Sequence, residues 1–116
     1  MYFCCMENEV NESFEILLAA CQTADSNLAV AYKQLRDLLE RLCRAQMQDE
    51  SLQMTDLSAR ISFVSARAGL TIVEQNRLHT FRLTSNAILN RKEEPVREKL
   101  LRDAKTLAFF IRKLYE

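Results

Sequence analysis

Glycine and proline each occur once in this chain of 116 residues, as Gly69 and Pro95. Folds built from strands turn every few positions and draw on these two residues to do so. Their scarcity argues against an all-β fold and predicts a few long helices. A single glycine also excludes a glycine-rich phosphate loop, whether of the P-loop or the dinucleotide-binding kind. Histidine occurs once, as His79. There is no Gly-x-Ser-x-Gly run, and the acidic residues are scattered over what read as solvent faces. The set of residues that classical catalysis needs is therefore thin.

The four cysteines, Cys4, Cys5, Cys21 and Cys43, form no Cys-x-x-Cys pair, and no histidine stands at ligand spacing from them. Zinc is not expected, and the sequence calls for no cofactor. Cys21 and Cys43 fall on apolar helical faces and read as small core residues. Such usage fits a reducing compartment and predicts a cytoplasmic protein. No apolar run is long enough to span a membrane. The segment Met1 to Met6 lacks the basic flank and the length of a signal peptide.

Net charge is absent too, with sixteen basic and sixteen acidic residues. The charges are unevenly placed. Residues 1–25 carry Glu7, Glu9, Glu12, Glu15 and Asp25 and no Lys or Arg. Residues 55–92 carry Arg60, Arg67, Arg77, Arg82, Arg91 and Lys92 against Asp56 and Glu74. The asymmetry leaves room for an anionic partner in the second half. Equally, it suits an acidic first helix packed beside basic neighbours. A dedicated nucleic-acid binder is normally basic overall.

What is present is helical periodicity. The reading is a flexible terminus over 1–8 and one all-α domain over 9–116, an antiparallel four- to five-helix bundle. Helix one runs from Glu9 to Gln22 with Val10, Phe14, Leu17, Leu18 and Cys21 inward. Asp25 or Ser26 caps helix two, whose seam is Leu28, Ala31, Tyr32, Leu35, Leu38, Leu39 and Leu42. Its outer face offers the pairs Lys33–Asp37 and Glu40–Arg44, each contributing about 0.2–0.5 kcal/mol. Asp49 to Met54 is a polar connector, and Thr55 caps helix three, with Leu57, Ile61, Val64 and Ala68 inward. Gly69 stands where a left-handed residue ends a helix. Thr71 and Glu74 form a capping box for helix four, which continues to about Asn90. Pro95 takes the first position of helix five. That helix has the seam Val96, Leu100, Ala104, Leu107, Ile111 and Leu114, and it pairs with helix two at the centre.

Helix four carries the candidate site. Gln75, His79, Arg82, Asn86 and Asn90 are spaced four, three, four and four apart, so they form one polar stripe. Arginine grips phosphate bidentately, and asparagine bonds base edges or backbone. The plain alternative is the wet face of an amphipathic helix, or residues that tie down a neighbouring element. Eleven of the sixteen basic residues are Arg, but no aromatics interleave with them to stack bases. The helix pair about Gly69 imitates a helix-turn-helix. Its second helix would offer Thr71, Val73, Glu74 and Gln75, a neutral to acidic end that suits DNA poorly.

Two segments resemble a known group. Ala31-Tyr-Lys-Gln-Leu-Arg-Asp-Leu-Leu-Glu-Arg-Leu-Cys43 is similar to the A-x-x-x-L-R-x-L-L-E-x-L-C helix of the HEPN superfamily. The subgroup it resembles is the one fused to restriction and helicase proteins. Leu78-His-Thr-Phe-Arg82-Leu-Thr-Ser-Asn86-Ala-Ile-Leu-Asn90 resembles the same group's L-x-x-L-R-x-x-G-N-x-x-x-H. The closing Ile111-Arg-Lys-Leu-Tyr115 fits as well. The resemblance covers roughly the last four-fifths of the chain. It implies an all-α bundle and, in active members, an Arg and a His acting on the scissile phosphate of RNA. Here Ser85 stands for the Gly and Asn90 for the His. An amide relays no proton near neutrality.

The resemblance thus implies a catalytically degenerate HEPN-like module. Its expected setting is a regulatory or nucleic-acid-binding domain, N-terminal in a larger helicase- or restriction-type protein. RNA or DNA and a second copy of the chain are the implied partners, without membrane or metal. Two other readings stand beside it. One is a helical protein–protein interaction or homodimerisation domain. The other is a metal-independent endoribonuclease using Arg82 with His79 or Asn90.

Overall fold

A computed structural model of the chain describes residues 2–47 and 56–116, with side chains from residue 7 onward. The described residues form five helices and no strand: α1 (Tyr2–Thr23), α2 (Leu28–Gln46), α3 (Leu57–Ala68), α4 (Ile72–Leu89) and α5 (Arg97–Leu114). The all-α bundle expected from the shortage of turn residues is the fold observed.

α2 is the hub, packed against each of the other four helices. Its inward side repeats every three or four residues, and Ala31, Tyr32, Leu35, Leu38, Leu39, Leu42 and Cys43 are all buried. α5 is the second central element, in contact with α1, α2 and α4 through Leu100, Ala104, Leu107, Phe110 and Ile111. α1 covers one side of this pair; α3 and α4 cover the other. The rings of Tyr32 and Phe81 stack at the centre, 6.2 Å between centroids. Such aromatic pairs contribute about 0.5–1.5 kcal/mol beyond their burial.

Helix ends follow local chemistry, with several departures from the expected boundaries. α1 runs from Tyr2 rather than from Glu9. Asn27, not Asp25 or Ser26, caps α2, its side chain accepting from Val30 N at 3.1 Å. Asp56 caps α3 by accepting from Ala59 N at 2.9 Å; the predicted cap Thr55 and the connector Asp49 to Met54 lie outside the described residues. The Thr71–Glu74 capping box is present in both directions. Pro95 precedes α5 by two positions, because Val96 stays extended and its carbonyl accepts the first helical bond, from Leu100 N.

Two helices end in the same left-handed turn. After α3, Gly69 has φ +79°, with Leu70 N bonded to Ser65 O and Gly69 N to Ala66 O. After α4, Arg91 takes φ +59°, with Lys92 N bonded to Ala87 O and Arg91 N to Ile88 O. Both are Schellman closures. The second places an arginine where glycine is the unstrained choice.

The acidic first helix meets basic and hydroxyl partners. Glu12 pairs with Arg41 of α2 at 2.9 Å, and Tyr115 donates to Glu9 at 2.9 Å. The inward face of α1 is largely the predicted one, with Leu17 buried and Val10, Phe14 and Cys21 packed partly buried against the core. Ser13 and Ala20 are buried as well, whereas Leu18 is 60% exposed. Val96, also expected inside, is exposed. Lys33 and Asp37 pair at 3.4 Å as expected, but Glu40 turns to Arg36 rather than to Arg44. No helix among the described residues is long and apolar enough to cross a membrane.

Candidate functional site

The capping box at Thr71 starts α4 at a defined residue, and the Schellman turn at Arg91 ends it. Between them the helix is unbroken through Leu89, so Gln75, His79, Arg82 and Asn86 share a flank, while Asn90 is the capping residue beyond it. That flank faces α3 near its beginning and α2 near its end.

At the α3 side, Gln75 Nε2 donates to Ser62 Oγ at 3.3 Å. The same hydroxyl lies 3.1 Å from His79 Nε2. Nδ1 is buried and has no hydrogen-bond partner among the described residues. Burial, reinforced by the neighbouring Arg82 charge, lowers the His79 pKa below its ordinary value. The imidazole is therefore neutral at physiological pH.

At the α2 side, the Arg36 guanidinium donates to Asn86 Oδ1 and, at 3.4 Å, to Ser85 Oγ. Its Nε sits 3.4 Å from Glu40 Oε1. Ser85 is fully buried and turns its own proton to Arg82 O at 2.9 Å. Arg82 lies between the two clusters, half-buried, with its Nε unpartnered among the described residues. Asn90 is exposed at the helix end, one residue before the left-handed turn, and takes part in neither cluster.

The structure thus brings Gln75 and His79 together on Ser62, sets Asn86 on Arg36, and leaves Asn90 apart. The two contacts are of the tying kind: they join α4 to α3 and to α2. A hydroxyl next to an imidazole is also the start of a nucleophile–base pair. Such a pair needs a third group to orient the base. No carboxylate bonds to His79 among the described residues. Cys21 and Cys43 offer no alternative nucleophile, since burial pushes the Cys43 thiol up to about 12 and raises that of Cys21 as well. Among the described residues, no three of His, Cys, Asp and Glu gather to hold a metal ion.

Ser62, Arg36, Glu40 and Ser85 were not among the predicted site residues. A signal for the first exists in Ser58, Ser62 and Ser65, three serines at four-three spacing that lay a small polar stripe on α3. Arg36 was concealed by its apparent place on the outer face of α2. Compared with known protein families, curated proteins and solved structures, the chain matches none.

Proposed function

We propose that this chain is a non-catalytic helical interaction module, a regulatory domain of the HEPN-like kind its sequence resembles, acting through contacts with other proteins. One observation carries the reading. The polar groups that would address a nucleic acid, Gln75, His79 and Asn86, are bonded instead to Ser62 and Arg36 of neighbouring helices. The residue aligned with the family's histidine is Asn90, exposed at the end of α4 and without a titrating group. A cytoplasmic setting within a larger helicase- or restriction-type protein belongs to the same reading.

The test is a fluorescence-anisotropy titration of labelled RNA and DNA, single- and double-stranded, at low and high salt, with Arg82→Ala alongside. The expected result is no salt-sensitive binding and no cleavage by either protein. Cleavage abolished by Arg82→Ala in a folded variant would establish the nuclease instead.

A second reading, contact of Arg82 with RNA or DNA, is favoured by one feature. Arg82 is only half-buried, and its guanidinium makes no ion pair among the described residues. Binding that weakens with salt and with Arg82→Ala would support it.

A further inference from the structure

α4 differs from α2 and α5 in having little amphipathic contrast: its outward side is poor in charge as well as its inward side. Ile72 is 71% exposed, Val73 60% and Leu83 57%. Asn76 and Thr80 lie between them, exposed and uncharged. On the adjoining side of α5, Leu101 and Phe109 are also exposed, with Lys105 between them at helical spacing. Isolated apolar residues on a surface are ordinary, but a run along two adjacent helices marks a contact site.

The crevice between these helices has depth. One pocket of about 160 Å³ lies among Leu70, Glu74, Leu78, Thr106 and Phe109, with Arg77 and Lys105 at its rim. It matches the size of an apolar cavity that accepts a benzene-sized group, roughly 150 Å³. A second, wider depression of about 300 Å³ lies among Val73, Asn76, Thr80 and Asp103 and shares Arg77 with the first. Arg77 thus lines both depressions.

The charges of the groove are not equally available. Glu74 is engaged in its own capping box, accepting from Thr71 N at 2.8 Å. Asp103 accepts from the buried Tyr32 hydroxyl at 3.1 Å. Lys113, beyond Phe109, covers that ring and pairs with Glu116. Arg77 and Lys105 are exposed and have no ion pair among the described residues. The groove therefore offers apolar walls, two carboxylates that keep their charge but accept these bonds, and two exposed cations outside any ion pair, of which Arg77 also acts on the Glu74 charge.

From this we infer that the α4–α5 groove docks an acidic amphipathic helix of a partner protein. An aliphatic or aromatic side chain would enter the pocket beside Phe109, and its acidic neighbours would meet Arg77 and Lys105. Apolar anchors at helical spacing set between acidic flanks are the pattern such a groove reads. Two cations among exposed Ile72, Val73 and Phe109 are too few and too apolar a setting to track a phosphate backbone. This deepens the interaction-module reading and rests on it.

The experiment uses the full chain labelled with ¹⁵N and two synthetic amphipathic peptides of about five turns. Both carry leucine on one face; one is flanked by glutamate and the other by lysine. The glutamate peptide is expected to shift the amide signals of Val73, Arg77, Thr106 and Phe109, with affinity that falls as salt rises. Arg77→Glu with Lys105→Glu should weaken it by roughly tenfold or more, and the two glutamine substitutions by less. Circular dichroism keeps loss of fold distinct from loss of binding. Equal binding of both peptides, no binding, or shifts confined to other helices would overturn the proposal. So would sedimentation showing a dimer that Val73→Glu dissolves, since the groove would then be covered by a second copy. Arg82-dependent cleavage of RNA would instead defeat the module reading itself, whatever the peptides do.

Discussion

Asn86 on α4 accepts a hydrogen bond from Arg36 on α2, fifty residues earlier in the chain. The contact joins the two segments that carry the family resemblance. Arg36 is held in place by Glu40 one turn on, with side-chain exposures of 20% and 32% for the pair. A partly buried guanidinium that loses an acceptor keeps the cost of its desolvation. Asn86→Ala should therefore destabilise the fold by about 1–2 kcal/mol, measured by urea denaturation at neutral pH. Asn86→Asp should restore or exceed the original stability by supplying a charged acceptor. An unchanged midpoint in Asn86→Ala would mean that the contact contributes nothing to holding α4.

His79 should make the fold sensitive to mild acid. Its pKa lies below the ordinary 6.5, from burial first and from Arg82 second. The unfolded chain therefore binds a proton more readily than the native one. The stabilising contribution is present above the ordinary value and is lost as pH falls through the lowered one. Denaturation midpoints should drop between pH 7 and pH 5 in the natural chain and drop less in His79→Gln, whose amide can still bond Ser62.

Asp103 works in the opposite sense. Burial raises its pKa above the ordinary 3.8, more than the Tyr32 hydroxyl and the nearby Lys99 and Arg102 offset. The native state then holds the proton more tightly than the unfolded one. The group's contribution is greatest below the ordinary value and is lost as pH rises through the raised one. Asp103→Asn keeps an acceptor for Tyr32 without the buried charge. Thermal melts at pH 7 should show it more stable than the natural chain; a lower melting temperature would mean that the carboxylate charge is needed.

The two Schellman turns predict substitutions of opposite sign. Gly69→Ala places a side chain at φ +79°, although an added Cβ would meet nothing within 4 Å. The cost is therefore backbone strain alone, about 1 kcal/mol. Arg91→Gly relieves the same strain at φ +59° and should stabilise by about 0.5–1 kcal/mol. Calorimetric melts of the two variants should move in opposite directions.

The helices were legible because their signals are local. The seam of α2, the turn at Gly69 and the capping box at Thr71 each depend on residues within a few positions of one another. The faces of α1 were harder to assign, because Ser13 and Ala20 are small enough to let neighbouring helices close over them, while Leu18 is turned outward. The stripe on α4 was legible as a stripe, but its orientation was not. Whether Asn86 meets solvent or Arg36 depends on how α4 rolls against α2, and that is decided by Phe81, Thr84 and Ser85 at the interface. Arg91 was missed because nothing in an arginine announces a left-handed backbone.

The position of α2 has a consequence for how the chain is made. Its apolar seam is completed from both directions, by α1 before it and by α3, α4 and α5 after it. An emerging chain can close the α1–α2 hairpin early. The part of its seam that α4 and α5 cover stays open until those helices have left the ribosome. The bundle therefore cannot be divided into two parts that each bury their own interior, and any pause in synthesis before α5 holds the chain in its most aggregation-prone form.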